Sequence, residues 1–251
     1  PADTKTVDIN AKIESLTGLS IGGSKTDIAI GGIDNSVIRT SEGIPYIPGS
    51  SLKGKMRALL ELKDKGELCT CGKADCNICA IFGVGANNRK EGLGPTRLIV
   101  RDSNLDKETM YKMENKIDEF KDLELIYTES KWENTIDRLT SRARNPRQTE
   151  RVPAGAKFDF NMVFNVFDEK DIDRFFILLS AMDMVEDDYL GGNGTRGYGR
   201  VKFANMNIKV KSVKDYEGKN EGVLVAENLA DLYSINKENL IEKLSSKLGV
   251  D

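Results

Sequence analysis

Phe158-Asp159-Phe160-Asn161-Met162-Val163-Phe164-Asn165-Val166 alternates apolar and polar side chains throughout. A period of two places Phe158, Phe160, Met162, Phe164 and Val166 on one face of a strand. Directly after it, Ile172, Phe175, Phe176, Leu179 and Met182 recur at helical spacing between Asp171 and Val185. Working outward, Val7, Ile9, Ala11 and Ile13 repeat the strand alternation, and Leu98, Ile99 and Val100 form a short apolar run. Ser50 or Ser51 is placed to cap a helix carrying Met56, Leu59, Leu60 and Leu62. Asp106 to Leu123 is polar and weakly helical. Leu125 to Arg151 opens as a strand, with Asn145-Pro146 reading as its turn. Val201, Phe203, Ile208 and Val210 mark a last strand region, and Ser234 to Leu248 an amphipathic C-terminal helix. The order strand, helix, strand, hairpin, strand, helix, strand predicts one α+β, ferredoxin-like domain over residues 1–251.

Among 251 residues there is no histidine. That excludes Ser-His-Asp and Cys-His nucleophile pairs, a two-histidine RNA-cleavage site and a histidine-ligated metal. Any chemistry falls to carboxylates, Lys, Tyr, backbone donors, a metal or a substrate hydroxyl. No stretch approaches the roughly 20 apolar residues that span a bilayer. The start, Pro1-Ala2-Asp3-Thr4, shows no apolar run behind a basic patch. A cytoplasmic protein without membrane attachment is expected. The net charge is −3, but it is segregated. Lys131, Arg138, Arg142, Arg144, Arg147 and Arg151 face only Glu133, Asp137 and Glu150 in the same stretch, whereas Asp168 to Asp188 is strongly acidic. A basic stripe on an acidic chain suits polyanion binding on one face; the plainer reading is a solvated, salt-bridged surface.

All four cysteines fall in Cys69-Thr70-Cys71 and Cys76-Asn77-Ile78-Cys79, within an irregular insertion spanning about residues 66–95. Two close pairs separated by four residues can close a tetrahedron around one ion. Structural zinc is the expected occupant, iron–sulfur the alternative. Four thiolates leave no open position, so this metal is not catalytic. Gly191 to Gly199 follows a helix and precedes a strand, which argues against a dinucleotide fingerprint. Its glycines, with Thr195 and Arg196, suit close backbone approach to a phosphate, or simply a tight turn. Ser50, Ser51, Lys53 and Lys55 sit at a predicted helix N-terminus, a second anion-friendly element. With Trp132 beside the basic stripe, the set points to an extended nucleic acid over a small phosphorylated ligand. Asp34 is by composition an ordinary turn residue.

Four separated motifs then resemble a known family. Ile47-Pro48-Gly49-Ser50-Ser51-Leu52-Lys53-Gly54-Lys55-Met56-Arg57 is similar to the signature of the RAMP superfamily of CRISPR proteins, and Gly191-Gly192-Asn193-Gly194-Thr195-Arg196-Gly197-Tyr198-Gly199 to its glycine-rich loop. Glu133-Asn134-Thr135-Ile136-Asp137-Arg138 and Arg144-Asn145-Pro146-Arg147-Gln148 resemble the third Csm subunits, the repeated backbone proteins of type III-A CRISPR interference complexes. The resemblance runs from about Ile9 to Val201. The cysteine cluster and the C-terminal helix lie outside it.

The resemblance implies an RRM-like core whose copies stack with other Csm subunits in a helical filament along a CRISPR RNA. It implies that target RNA is cut at regular intervals with a divalent ion, Mg²⁺ or Mn²⁺. Asp34, in Gly31-Gly32-Ile33-Asp34-Asn35, takes the family's catalytic position. A thumb hairpin is implied at about residues 125–156. Ser50, Ser51, Lys53, Lys55, Arg57, Arg138, Arg142, Arg147, Gly192, Arg196 and Tyr198 become the implied RNA-binding residues. The alternatives are a non-catalytic RNA-binding subunit and the related type III-B backbone protein.

Overall fold

A computed structural model describes residues 5–23, 35–64, 66–212, 215, 217–218 and 223–226. Its elements are β1 (Lys5–Ser15), β2 (Tyr46–Ile47), α1 (Gly49–Asp64), α2 (Asn77–Phe82), β3 (Leu98–Val100), β4 (Ser103–Asn104), α3 (Lys107–Asn115), β5 (Glu129–Ile136), β6 (Ala143–Arg151), β7 (Lys157–Val166), α4 (Lys170–Asp187), β8 (Val201–Lys211) and β9 (Val223–Ala226). The main sheet runs β3-β7-β1-β8-β9, every pair antiparallel. Without β9 this is the strand order of a ferredoxin-like βαββαβ unit, with α1 and α4 packed against each other.

Register explains why one sheet face is core. Val7 lies between Phe164 and Val210, Ile9 between Met162 and Ile208, and Ile13 between Phe158 and Phe203. All nine of these side chains are buried. Each large apolar side chain so buried contributes about 1.5–3 kcal/mol. A slip of one residue would turn the whole set to the other face, so the alternation excludes every odd-numbered slip. That other face is polar, with Asn10 opposite Asn161 and Asn207. On the helix side, α1 buries Leu52, Met56, Leu59 and Leu60, and α4 buries Phe175, Leu178, Leu179, Met182 and Val185.

Three local expectations are corrected. Neither Ser50 nor Ser51 caps α1. The helix already begins at Gly49, whose N–H donates to Asp102 Oδ1 at 2.8 Å, so the cap comes from the loop between β3 and β4. The thumb hairpin pairs β5 with β6, but Asn145-Pro146 is not its turn. Asp137 closes the turn instead, its Oδ1 accepting from the N–H groups of Leu139 and Thr140 at 3.0 Å. Asn145 and Pro146 fall where the register shifts between Glu133 and Thr135. A bulge tolerates proline, which has no N–H to give to the ladder. The opening strand begins at Glu129, because the Leu125 N–H turns back onto the Thr128 carbonyl. The helix expected over Ser234 to Leu248 lies outside the described residues.

Candidate functional site

The four thiols converge. Cys69 Sγ lies 3.7, 3.4 and 3.8 Å from the sulfurs of Cys71, Cys76 and Cys79, and Cys71 Sγ lies 3.8 Å from Cys79 Sγ. A tetrahedral ion with metal–sulfur bonds of about 2.3 Å has sulfur–sulfur edges of about 3.8 Å. Disulfide sulfurs would approach to about 2.05 Å. The edges leave room for one ion and not for an iron–sulfur cluster, whose thiolates sit on separate irons. The cluster can therefore hold a single metal ion.

Local structure supplies the ligands. Cys76 caps α2, its sulfur accepting from the Cys79 N–H at 3.5 Å. The Gly72 N–H donates to Cys79 Sγ at 3.4 Å. Gly72 has φ +65°, and a Cβ there would come within 1.8 Å of the Asn88 carbonyl oxygen, so this position requires glycine. In the metal-free cluster, a backbone hydrogen bond from Lys73 draws the Cys71 thiol down to about 7. Burial pushes Cys76 up to about 12 and raises Cys79 as well. A cation is what would let all four sulfurs bear charge together.

The N-terminal part of α1 brings Ser50, Ser51, Lys53 and Lys55 together, but not as free cations. Lys53 donates to the Leu98 carbonyl at 2.8 Å; its burial, with Arg57 nearby, lowers its pKa. Lys55 pairs with Asp188 at 2.8 Å and lies over the Tyr189 ring. Arg57 turns away from this end toward the cysteine loop, donating to Glu61, to the Gly83 carbonyl and to the Cys69 carbonyl.

The glycine-rich loop is used differently from a phosphate cradle. Its amides at Gly192 and Gly199 donate to the carbonyls of Ser20 and Gly18, and those of Arg196, Gly197 and Tyr198 to carbonyls within the loop. Gly191, with φ +80°, packs so closely on the Ser20 carbonyl that a Cβ would approach to 2.4 Å. Gly191 and Gly199 serve contact with the protein's own backbone, and Gly194 makes room for the Tyr189 ring. Arg196 remains half-exposed, 3.8 Å from Glu133. Tyr198 is buried rather than offered for stacking, with Lys131 and Arg151 over its ring. Burial and the Glu133 carboxylate push its phenol up to about 12. Glu133 also pairs with Arg147 at 3.2 Å, so this carboxylate ties the thumb to the glycine-rich loop.

The basic groups at the thumb's end are exposed. Arg138 and Arg142 are exposed there, beside exposed Ile136 and Leu139, and Trp132 is exposed on β5. Asp34 lies outside the described residues. Asn35 is the next described residue; its N–H donates to the Gln148 carbonyl at 3.4 Å and its carbonyl accepts from the Glu150 N–H at 2.9 Å. The Glu150 carboxylate is buried; it accepts from the Val37 N–H at 2.9 Å and the Thr128 hydroxyl at 2.7 Å, and pairs with Arg39. An open cleft of about 690 Å³ borders Gly23, Ser36, Arg39 and Glu150. Sequence reading missed Glu150, Arg39 and Glu61. For Glu61, its i,i+4 spacing from Arg57 was the available signal; for Glu150 and Arg39, partners more than a hundred residues apart leave none.

The family model for the RAMP superfamily matches residues 12–202. Proteins named CRISPR system Cms endoribonuclease Csm3 are 43% identical over 236 residues in Methanocaldococcus jannaschii and 42% over 228 residues in Methanothermobacter thermautotrophicus. These alignments cover 90% and 84% of this chain, and 90% and 88% of the relatives.

The chain belongs to the RAMP superfamily and, within it, to the Csm3 family.

A solved Csm3–Csm4 subcomplex of a type III-A CRISPR-Cas interference complex contains a chain 34% identical to this one, with a TM-score of 0.62 and coverage of 95% and 96%. The crystal structure of Methanopyrus kandleri Csm3, at 21% identity and a TM-score of 0.58, shares the fold over 98% of each chain. In this chain α1 and α4 pack on the sheet's apolar face, and the thumb adjoins the glycine-rich loop where Glu133 meets Arg196.

Proposed function

We propose that this Csm3-family chain is the RNA-binding backbone subunit of a type III-A CRISPR effector complex. In the assembled complex it cuts guide-paired target RNA at regular intervals, copies of it stacking with other Csm subunits along the CRISPR RNA. The observation that carries this is near-full-length identity of 42–43% to relatives named endoribonuclease. Geometry adds support: the residue following Asp34 in sequence is anchored on the base of a thumb whose end is basic and apolar.

In this reading Asp34 is the catalytic carboxylate. The thumb, with Ile136, Leu139 and Trp132 exposed, unstacks a target nucleotide so that its own 2′-hydroxyl aligns with the scissile phosphate. That alignment lowers the barrier without a strong base, which accords with the absence of histidine. Asp34 would hold Mg²⁺ or Mn²⁺, which when bound neutralises phosphate charge; one carboxylate with substrate oxygens is an ordinary magnesium donor set. The products are a 2′,3′-cyclic phosphate and a 5′-hydroxyl. Ser50, Ser51, Lys55, Gly192, Arg196 and the thumb arginines Arg138, Arg142 and Arg147 line the RNA path, with Lys53, Arg57 and Tyr198 supporting it from beneath. The cysteine cluster holds structural zinc.

The test is cleavage of guide-complementary RNA by assembled complexes, with and without chelator. Losing several kcal/mol of charge stabilisation slows Asp34→Ala about a hundredfold or more, with target binding intact. Unchanged cutting at the same positions would leave the subunit a non-catalytic RNA scaffold.

A further inference from the structure

Two charged side chains on α1 grip the cysteine loop at its neck. Glu61 is almost fully buried, and its Oε1 accepts both the Cys69 N–H at 3.0 Å and Arg57 Nε at 2.8 Å. The rest of the Arg57 guanidinium reaches two carbonyls, donating from Nη1 to Gly83 at 2.9 Å and from Nη2 to Cys69. Cys69 is the first thiol of the cluster. Gly83 closes α2, its N–H returning to the Cys79 carbonyl at 3.0 Å just after the last thiol. One planar guanidinium thus bridges the way into the loop and the way out of it. The carboxylate orients that guanidinium and takes the amide of the first ligand. A fork of fixed geometry bonding two carbonyls at once is a role lysine cannot fill.

We propose that Arg57 and Glu61 are positioning residues for the metal centre: they hold the loop's neck shut and set Cys69 in register with the other three sulfurs before the ion arrives. The proposal rests on the reading of the cluster as a zinc site. The charges agree with it. Four thiolates around a divalent ion carry a net −2, and the guanidinium is the cation that the fold brings to the first ligand's own peptide group. The carboxylate, in turn, gives that half-buried guanidinium a charged acceptor at Nε. Groups of this kind around a metal change its affinity by 10–100-fold when altered. A pair acting as one unit shows it by non-additivity.

The experiment measures zinc affinity of the full chain by competition with a chromophoric chelator, for wild type, Arg57→Lys, Glu61→Gln and the double variant. Each single variant is expected to bind zinc about 10–100-fold more weakly, with the double variant no weaker than the worse single one. Cobalt-substituted variants are expected to show tetrahedral thiolate bands that are shifted or broadened. Affinities within twofold of wild type would overturn the clamp while leaving the metal centre standing. A wild-type chain that takes up no zinc would overturn the metal reading itself. A further measurement needs no variant: in zinc-stripped wild type the Cys69 amide is expected to resist hydrogen exchange. Rapid exchange there would show that the neck is not held shut before metal binding, and would overturn the proposal even if the variants failed to fold.

Discussion

Asp106 does two tasks with one carboxylate. It caps α3, accepting from the Thr109 N–H at 3.2 Å, and it pairs with Lys12 on β1. Burial works to raise its pKa, but Lys12 and the cap amides outweigh that and hold it below the ordinary value. A carboxyl whose folded pKa is depressed adds stability that is fully present above its unfolded value near 3.9, and that is lost as pH falls through the folded value. Asp106→Ala should therefore lower stability by about 1–2 kcal/mol at pH 7, and the difference from wild type should shrink in denaturant titrations as the pH falls below the unfolded value. Gly72 is decided by backbone conformation and space together. Gly72→Ala, facing the Asn88 carbonyl from the left-handed region, should cost roughly 2 kcal/mol or more and weaken zinc uptake, read by the melting temperature and chelator competition.

Among elements, α1 and the thumb share most of the cations that the family resemblance assigns to RNA, but not equally. The ammonium of Lys53 is bonded to the Leu98 carbonyl and that of Lys55 to Asp188, whereas Arg138 and Arg142 stand exposed near the turn that Asp137 organises. Each phosphate contact contributes about 0.7–0.9 to the slope of log affinity against log salt. Arg138→Ala with Arg142→Ala should accordingly flatten the slope for guide or duplex binding by about 1.5. Lys53→Ala should leave the slope nearly unchanged and lower stability instead. Equal slopes for the thumb variant and wild type would remove those arginines from the RNA path. The thumb's place on the fold also depends on Glu150, which pairs with Arg39 and accepts from the Val37 amide. Hairpin and turn could be read locally, yet Asn145-Pro146 misled because a bulge accommodates the same dipeptide that usually makes a turn.

Over the whole molecule, the cysteine insertion is part of the core and not an appendage. Ile78, Ala80, Ile81 and Phe82 of α2 are buried with the sheet's apolar face and α1. Metal binding to the folded state is thereby folding free energy. Zinc removal should lower the melting temperature by several degrees or more, and re-addition should restore it. Cys76, at about 12, and Cys79, raised by burial, are thiols at neutral pH. Zinc uptake near pH 7 should therefore release a proton from each, and a weakly buffered titration will show the acidification.

What the sequence determined by itself was whatever has a short period or a short spacing. The alternation from Phe158 to Val166 and from Val7 to Ile13 set strands and their buried faces, and the helical spacing behind it set α4, because side-chain direction repeats every two or 3.6 residues. The CxC and CxxC pairs announced a tetrahedron, and four local motifs announced the family. Only the tertiary structure decided how the charged groups are shared out. Asp102 rather than a serine caps α1, Arg57 reaches the cysteine loop, and Tyr198 and the glycine-rich amides turn inward. A charge or an amide is satisfied by whatever the fold brings within about 3 Å, and that partner is often far away in sequence.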